Sequence, residues 1–149
     1  MEKFNQINKQ CYGLNECNDC AIKAIALTTG LSYLDVHKEF RNRGRKNGRR
    51  VYDPMLNQVI KNLGFDNSIR FEKPKIIEAL QKASGKTRKK CTVKDLEQYP
   101  EILKIIGIQD CNCLVFIRGH VAALIDNKIE DWSQNRNHTI KYIEVVFDI

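Results

Sequence analysis

The run Asn18-Asp19-Cys20-Ala21-Ile22-Lys23-Ala24-Ile25-Ala26-Leu27-Thr28-Thr29-Gly30 constrains the fold more than any other stretch. Lys23 is the only charge after Asp19, so a helix built from this run must bury most of its circumference against other protein. Asn18 and Asp19 are suitable N-caps, able to accept hydrogen bonds from the free N–H groups of the first turn. Gly30 is a stop, because glycine takes the left-handed conformation that ends helices. The helix therefore begins at a cysteine. A thiol there lies at the positive end of the helix dipole, which favours thiolate over thiol. An inert buried thiol is the commoner fate of a cysteine, so the company Cys20 keeps decides its role.

With 149 residues the chain is long enough for one domain with a core and too short to expect two. Its hydrophobic content of 42% and charged content of 29% are those of a soluble globular protein. No apolar run approaches the ~20 residues of a membrane span. The polar start Met1-Glu2-Lys3-Phe4-Asn5-Gln6 has no signal-peptide h-region. A cytoplasmic protein with no membrane partner is the expectation. Six cysteines without a secretion signal point to reduced thiols, catalysis or metal rather than a disulfide framework. The net charge of +7 permits nucleic acid or an acidic protein as partner and says nothing of fold.

Residues 1–17 are polar, with Tyr12-Gly13-Leu14-Asn15 reading as a turn into the cysteine helix. A second helix is expected after Ser32, where Ser32-Tyr33-Leu34-Asp35 resembles a capping box with Asp in place of Glu. Tyr33, Val36 and Phe40 form its apolar stripe, and Gly44 ends it. His37, within it, reads as surface or half-buried. A basic loop follows from Arg41 to Arg50. Asp53-Pro54 opens a third helix, with Leu56, Val59, Ile60 and Leu63 on one face. Ser68-Ile69-Arg70-Phe71 reads as a short strand, and Lys73-Pro74 opens a further helix carrying Ile76, Ile77, Leu80 and Ala83. A second basic loop spans Ser84–Lys90. Its Gly85-Lys86-Thr87 lacks the upstream glycine and strand of a nucleotide loop. Thr92-Val93-Lys94-Asp95 starts another helix, interrupted at Pro100.

Beyond this point the period changes. Cys113–Arg118 and His120–Ile125 are strand-like, Asp126-Asn127 supplies a turn, and Lys128–Trp132 continues on the other side. Thr139–Phe147 makes a closing strand with Ile140, Tyr142, Glu144 and Val146 on one face. Helices first, then an antiparallel sheet: the class is α+β.

A two-residue turn at Asp126-Asn127 pairs Ile125 with Lys128, Ala122 with Asp131 and His120 with Ser133. His120 and Asp131 then share a face as diagonal neighbours, about 7–8 Å apart at their α-carbons. Asp126 lies roughly 20 Å along the strand from His120, so Asp131 is the better orienting acid. A cysteine heading a helix, with a strand histidine oriented by an acid on the next strand, is the working set of a thiol nucleophile. The backbone N–H of Cys20 is placed to donate to an oxyanion. Trp132, beside Asp131, reads as core packing or as a shield over the His–Asp pair.

This order of Cys-bearing helix, further helices, then a sheet with Gly119-His120 and a later Asp131 resembles the papain-like cysteine peptidases. Asn18-Asp19-Cys20 with Ala24–Tyr33, and Gly119–Asp126 with Asp131, is more closely similar to a group of small papain-like proteins of phages and bacteria. Bacteriocin-leader-processing peptidases share the Asp-Cys start. The resemblance runs from about residue 18 to 132. It implies a single papain-like domain over 1–149, helical over about 18–107 and sheet over about 113–149. It implies Cys20 as nucleophile, His120 as base and Asp131 as orienter, acting without a cofactor. The activity implied is thiol-dependent cleavage of a peptide, isopeptide or related amide bond in a protein or peptide substrate, or acyl transfer with the same residues. If the chain is phage-encoded, its compartment is the host cytoplasm. Papain-like enzymes usually carry an oxyanion-hole Gln six residues before the cysteine. Here that position is Leu14, and Asn15 and Asn18 are the candidates to replace it.

Two other readings compete. A catalytically silent papain-fold binding protein would use Arg41, Arg43, Arg45, Lys46, Arg49, Arg50, Arg88, Lys89 and Lys90 to hold nucleic acid or an acidic protein. A structural zinc would use Cys17, Cys20, Cys111 and Cys113, with Cys11 nearby in sequence. A zinc-bound Cys20 is no free nucleophile, so that reading excludes the hydrolase.

Overall fold

The computed structural model describes residues 2–10, 14, 16–51 and 53–149. The sequence order of elements is α1 (Glu2–Gln10), α2 (Cys20–Thr29), α3 (Tyr33–Asn42), α4 (Asp53–Asn62), β1 (Phe65–Asp66), β2 (Arg70–Glu72), α5 (Lys73–Ser84), α6 (Val93–Gln98) and α7 (Glu101–Ile106). The strands β3 (Cys113–Ile117), β4 (His120–Ile125), β5 (Lys128–Glu130), β6 (Ile140–Val145) and β7 (Phe147–Asp148) follow. The class is α+β, with helices in the N-terminal part and an antiparallel sheet in the C-terminal part. No described helix is long and apolar enough to cross a membrane.

Among the described residues the main sheet has the order β2-β6-β3-β4-β5, and every neighbouring pair is antiparallel. Alternation along β3 and β4 splits the core in two. Leu114, Phe116, Val121, Ala123 and Ile125 pack with α1–α4, whereas Cys113, Val115, Ile117, Ala122 and Leu124 pack with α5–α7. The sheet is therefore covered on both faces, and that is why β3 is buried along its whole length.

α2 is the central helix of the first face. Ile22 and Ile25 are fully buried on it, each worth about 1.5–3 kcal/mol relative to exposure. Gly30 ends it at φ 76°, with its N–H on the Ala26 carbonyl. The Ser32 cap is present, its Oγ accepting from Asp35 N–H at 3.1 Å. At Thr92 the reciprocal box forms: Thr92 Oγ1 accepts from Asp95 N–H at 3.1 Å and Asp95 Oδ2 from Thr92 N–H at 3.0 Å.

Three features depart from the sequence reading. α1 is helical although polar, anchored by only two buried side chains, Phe4 and Ile7. β1 and β7 form a small separate pair, Phe65 opposite Asp148. In β6 the register slips: Phe116 pairs with Tyr142 but Ile117 with Ile140. Lys141 is the extra residue of a bulge. Ile140 is thereby turned to the α5–α7 side, away from the Tyr142 and Val146 with which strict alternation groups it.

Candidate active site

Cys20 is the first residue of α2 and sits half-buried against the α1–α4 core. Asp19 precedes it at the N-cap position but makes no side-chain cap. Its carboxylate is held elsewhere, by the Tyr33 hydroxyl at 2.8 Å and by Lys23 Nζ at 3.3 Å. Asn18, at φ 55°, donates its side-chain amide to the Gly48 carbonyl at 3.0 Å. Asparagine tolerates that left-handed conformation better than most residues. The first-turn N–H groups of α2 are thus left without an Asp19 side-chain cap.

The two-residue turn has the expected register. Asp126 and Asn127 take φ 51° and 65°, the double positive φ of a type I′ hairpin, and Ile125 pairs with Lys128 and Ala123 with Glu130. His120 opens β4 directly after Gly119, and its Nε2 lies 2.7 Å from Asp131 Oδ2. Asp131 is buried, and the same oxygen accepts from Ser133 N–H at 2.9 Å and Ser133 Oγ at 2.6 Å. Asp126 is committed to Lys3 at 2.8 Å on the surface.

With Nε2 on Asp131, Nδ1 of His120 is left for the Cys20 thiol, and the two side chains are close enough for each to shift the other's protonation. Burial disfavours the imidazolium, but hydrogen bonds to Asp131 and Cys20 and the charge of Asp131 outweigh it, raising His120 to about 9. Burial likewise opposes the thiolate. Hydrogen bonds from His120 and from Val121 N–H, with attraction to His120, nevertheless hold Cys20 below an ordinary thiol. Both shifts favour the thiolate–imidazolium pair. Cys91 and Cys113, without such partners, are pushed by burial up to about 12.

Trp132 covers the outer side of this pair rather than filling the core. Its ring is 4.6 Å from the His120 ring at 42°, edge-on to His138 at 5.4 Å, and 43% exposed. Cys20 and His120 open into a cleft of about 310 Å³, lined also by Asn18, Arg50, Leu56, Phe116 and Tyr142. Asn18 therefore lines the same cleft as the thiol. Leu14 packs against the α1–α4 core, and Asn15 lies outside the described residues.

The basic residues divide. Arg45 is turned inward with its side chain 2% exposed, paired with Glu16 at 2.7 and 3.0 Å and donating to the Arg49 carbonyl at 2.9 Å. It is removed from any partner-binding surface. Arg88 is committed to Asp95 at 2.7 Å, and Arg43 approaches Glu39 at 3.5 Å. Arg41, Lys46, Arg49, Arg50, Lys89 and Lys90 remain exposed. His37 is buried, not superficial, with Nε2 2.6 Å from Glu16 Oε2. Glu16 also accepts from Gly48 N–H at 2.8 Å. Its burial opposes ionisation, yet Arg45 and Gly48 hold its carboxyl down at about 2.

The proposed zinc ligands are not brought together. Cys20 faces the α1–α4 core, whereas Cys111 and Cys113 belong to the α5–α7 core across the sheet. Among the described residues no group of three or more His, Cys, Asp or Glu side chains could hold a metal ion. Cys11 lies outside the described residues.

Sequence reasoning missed Glu16 and Ser133. Ser133 carried a local signal, since Asp-x-Ser favours an Asx-type turn. Glu16 carried none, because its partners lie far along the chain. Comparison with family models, with curated proteins and with solved structures found no match to this chain.

Proposed function

We propose that this chain is a papain-like thiol hydrolase that cleaves a peptide, isopeptide or related amide bond through Cys20, His120 and Asp131. One observation carries the reading: the His120 imidazole is held by the buried Asp131 carboxylate on one side and shares a single cleft with the Cys20 thiol on the other. The papain-like assignment rests on the order of parts, a cysteine-headed buried helix followed by a strand histidine and an acid one hairpin away.

His120 takes the thiol proton, and the sulfur attacks the substrate carbonyl carbon. The oxyanion is met by the Cys20 backbone N–H and by the second N–H of the Asn18 amide. The imidazolium returns its proton to the leaving nitrogen as the C–N bond breaks. Water, deprotonated by His120, then attacks the thioester and restores the thiol. A different nucleophile at that last step gives acyl transfer instead. Asp131 holds the tautomer.

The test is incubation of the full chain with a peptide library, reading new N termini by mass spectrometry. The reading requires cleavage that disappears in Cys20→Ala and His120→Ala. Cleavage that survives Cys20→Ala contradicts it.

A further inference from the structure

The cleft beside Cys20 carries two cations that the chemistry above does not use. Arg50 and Lys141 both line it and both are exposed. Among the described residues neither holds an ion-pair or hydrogen-bond partner. Each is delivered by a specific backbone feature. Lys141 is the extra residue of the β6 bulge, which lets it and Tyr142 line the same cleft although they are neighbours in a strand. Arg50 crosses Gly119, its Nη1 3.8 Å from where a Cβ would stand, one residue before His120. Gly119 itself is at φ 66°, a conformation that glycine adopts at no steric cost.

Among the described residues the cleft holds one carboxylate, Asp53, which accepts from the Tyr142 hydroxyl at 3.4 Å. Outside the Cys20–His120–Asp131 set, Arg50 and Lys141 against Asp53 leave the described lining of the cleft net positive. Leu56, Phe116 and Tyr142 give it an apolar wall for the body of a peptide. Low-dielectric walls lined by one sign of charge concentrate ligands of the other sign.

We propose that Arg50 and Lys141 select a carboxylate on the substrate next to the scissile amide, so that acidic peptides are the preferred class. This rests on the hydrolase reading. Each cation contributes about two- to five-fold in selectivity, the scale of a solvent-exposed ion pair.

The probe is the rate of Cys20 modification by iodoacetate, which is anionic, relative to iodoacetamide, which is neutral, located by peptide mapping. The ratio is expected to fall about five-fold or more in Arg50→Gln/Lys141→Gln, and to fall in wild type as salt screens the cleft. Lys141→Glu alone, on an exposed strand position, gives the same direction. An activated Cys20 whose ratio is unchanged in these variants overturns the charge selection and leaves the hydrolase reading standing. A Cys20 that reacts with iodoacetamide as an ordinary thiol overturns both. Peptide libraries with amidated and with free C termini separate the sources. Acidic preference in the amidated set assigns a side-chain carboxylate, cleavage confined to the free-acid set assigns the terminal one, and no preference in either overturns the proposal.

Discussion

His120 Nε2 and Asp131 Oδ2 stand 2.7 Å apart across a hairpin whose turn is two residues long. Three donors converge on that one oxygen, from His120 and from both polar groups of Ser133. Asp131→Asn removes the acceptor that raises His120. The His120 pKa is then expected to drop from about 9 toward the ~6.5 of a free imidazole, measured by NMR titration of its ring protons. Hydrolysis should fall on the order of 10²-fold or more, since the wrong tautomer faces the thiol.

Ser133→Ala separates holding the acid from having it. The buried carboxylate loses its Ser133 hydroxyl donor, at a cost of about 1–3 kcal/mol in urea unfolding. His120 keeps a raised pKa in this variant, because its own bond to Asp131 is intact.

Glu16 accepts from Arg45, His37 and Gly48 with its side chain fully buried. Its pKa is lowered in the folded chain to about 2 from an ordinary 4.5. A depressed carboxylate contributes stability that is complete above the unfolded value and is lost as pH falls through the folded one. Unfolding midpoints should therefore decline between pH 4.5 and about 2 in wild type, and more weakly in Glu16→Gln. At pH 7 that variant should lose about 3–5 kcal/mol, because Arg45 is left buried and unpaired.

Asn18 has a backbone role at φ 55° and a proposed role at the oxyanion. Asn18→Gly keeps the first and removes the second, together with the amide's bond to the Gly48 carbonyl. Turnover should fall about 10²–10³-fold with KM little changed, the loss typical of one oxyanion donor. An unchanged kcat in Asn18→Gly would assign the second donor elsewhere.

In the proposed mechanism the imidazolium that protonates the leaving nitrogen is lost as pH rises through the His120 pKa. The alkaline limb of kcat/KM is expected near 9 in wild type and at lower pH in Trp132→Ala, where water reaches the His–Asp pair. A pH–rate profile checks both.

What was legible in the sequence was local. The cysteine helix announced itself through a nearly uncharged run and Gly30, and the Asp126-Asn127 turn set the register as far as Ala123–Glu130; β5 ends there, so the expected pairs Ala122–Asp131 and His120–Ser133 do not form, and Asp131 meets His120 from the bend that follows. α1 was not legible, because Phe4 and Ile7 alone set no period. The β6 bulge was not, because nothing about Lys141 distinguishes it from an ordinary outward-facing strand residue; only pairing with β3 reveals the slip. Arg45 looked like its neighbours in the basic loop. Its partner Glu16 is far away in sequence, and burial of that ion pair follows from tertiary packing. Asp19 looked like a cap, but Tyr33 and Lys23 compete for its oxygens.

The most direct measurement is the pH dependence of Cys20 alkylation by iodoacetamide, with peptide mapping to separate it from the other cysteines, in wild type and His120→Ala. The account predicts that wild-type Cys20 stays reactive well below the ~8.5 of a free thiol, and that His120→Ala moves its profile upward. A Cys20 profile that is that of a free thiol, or the same in both proteins, would contradict it.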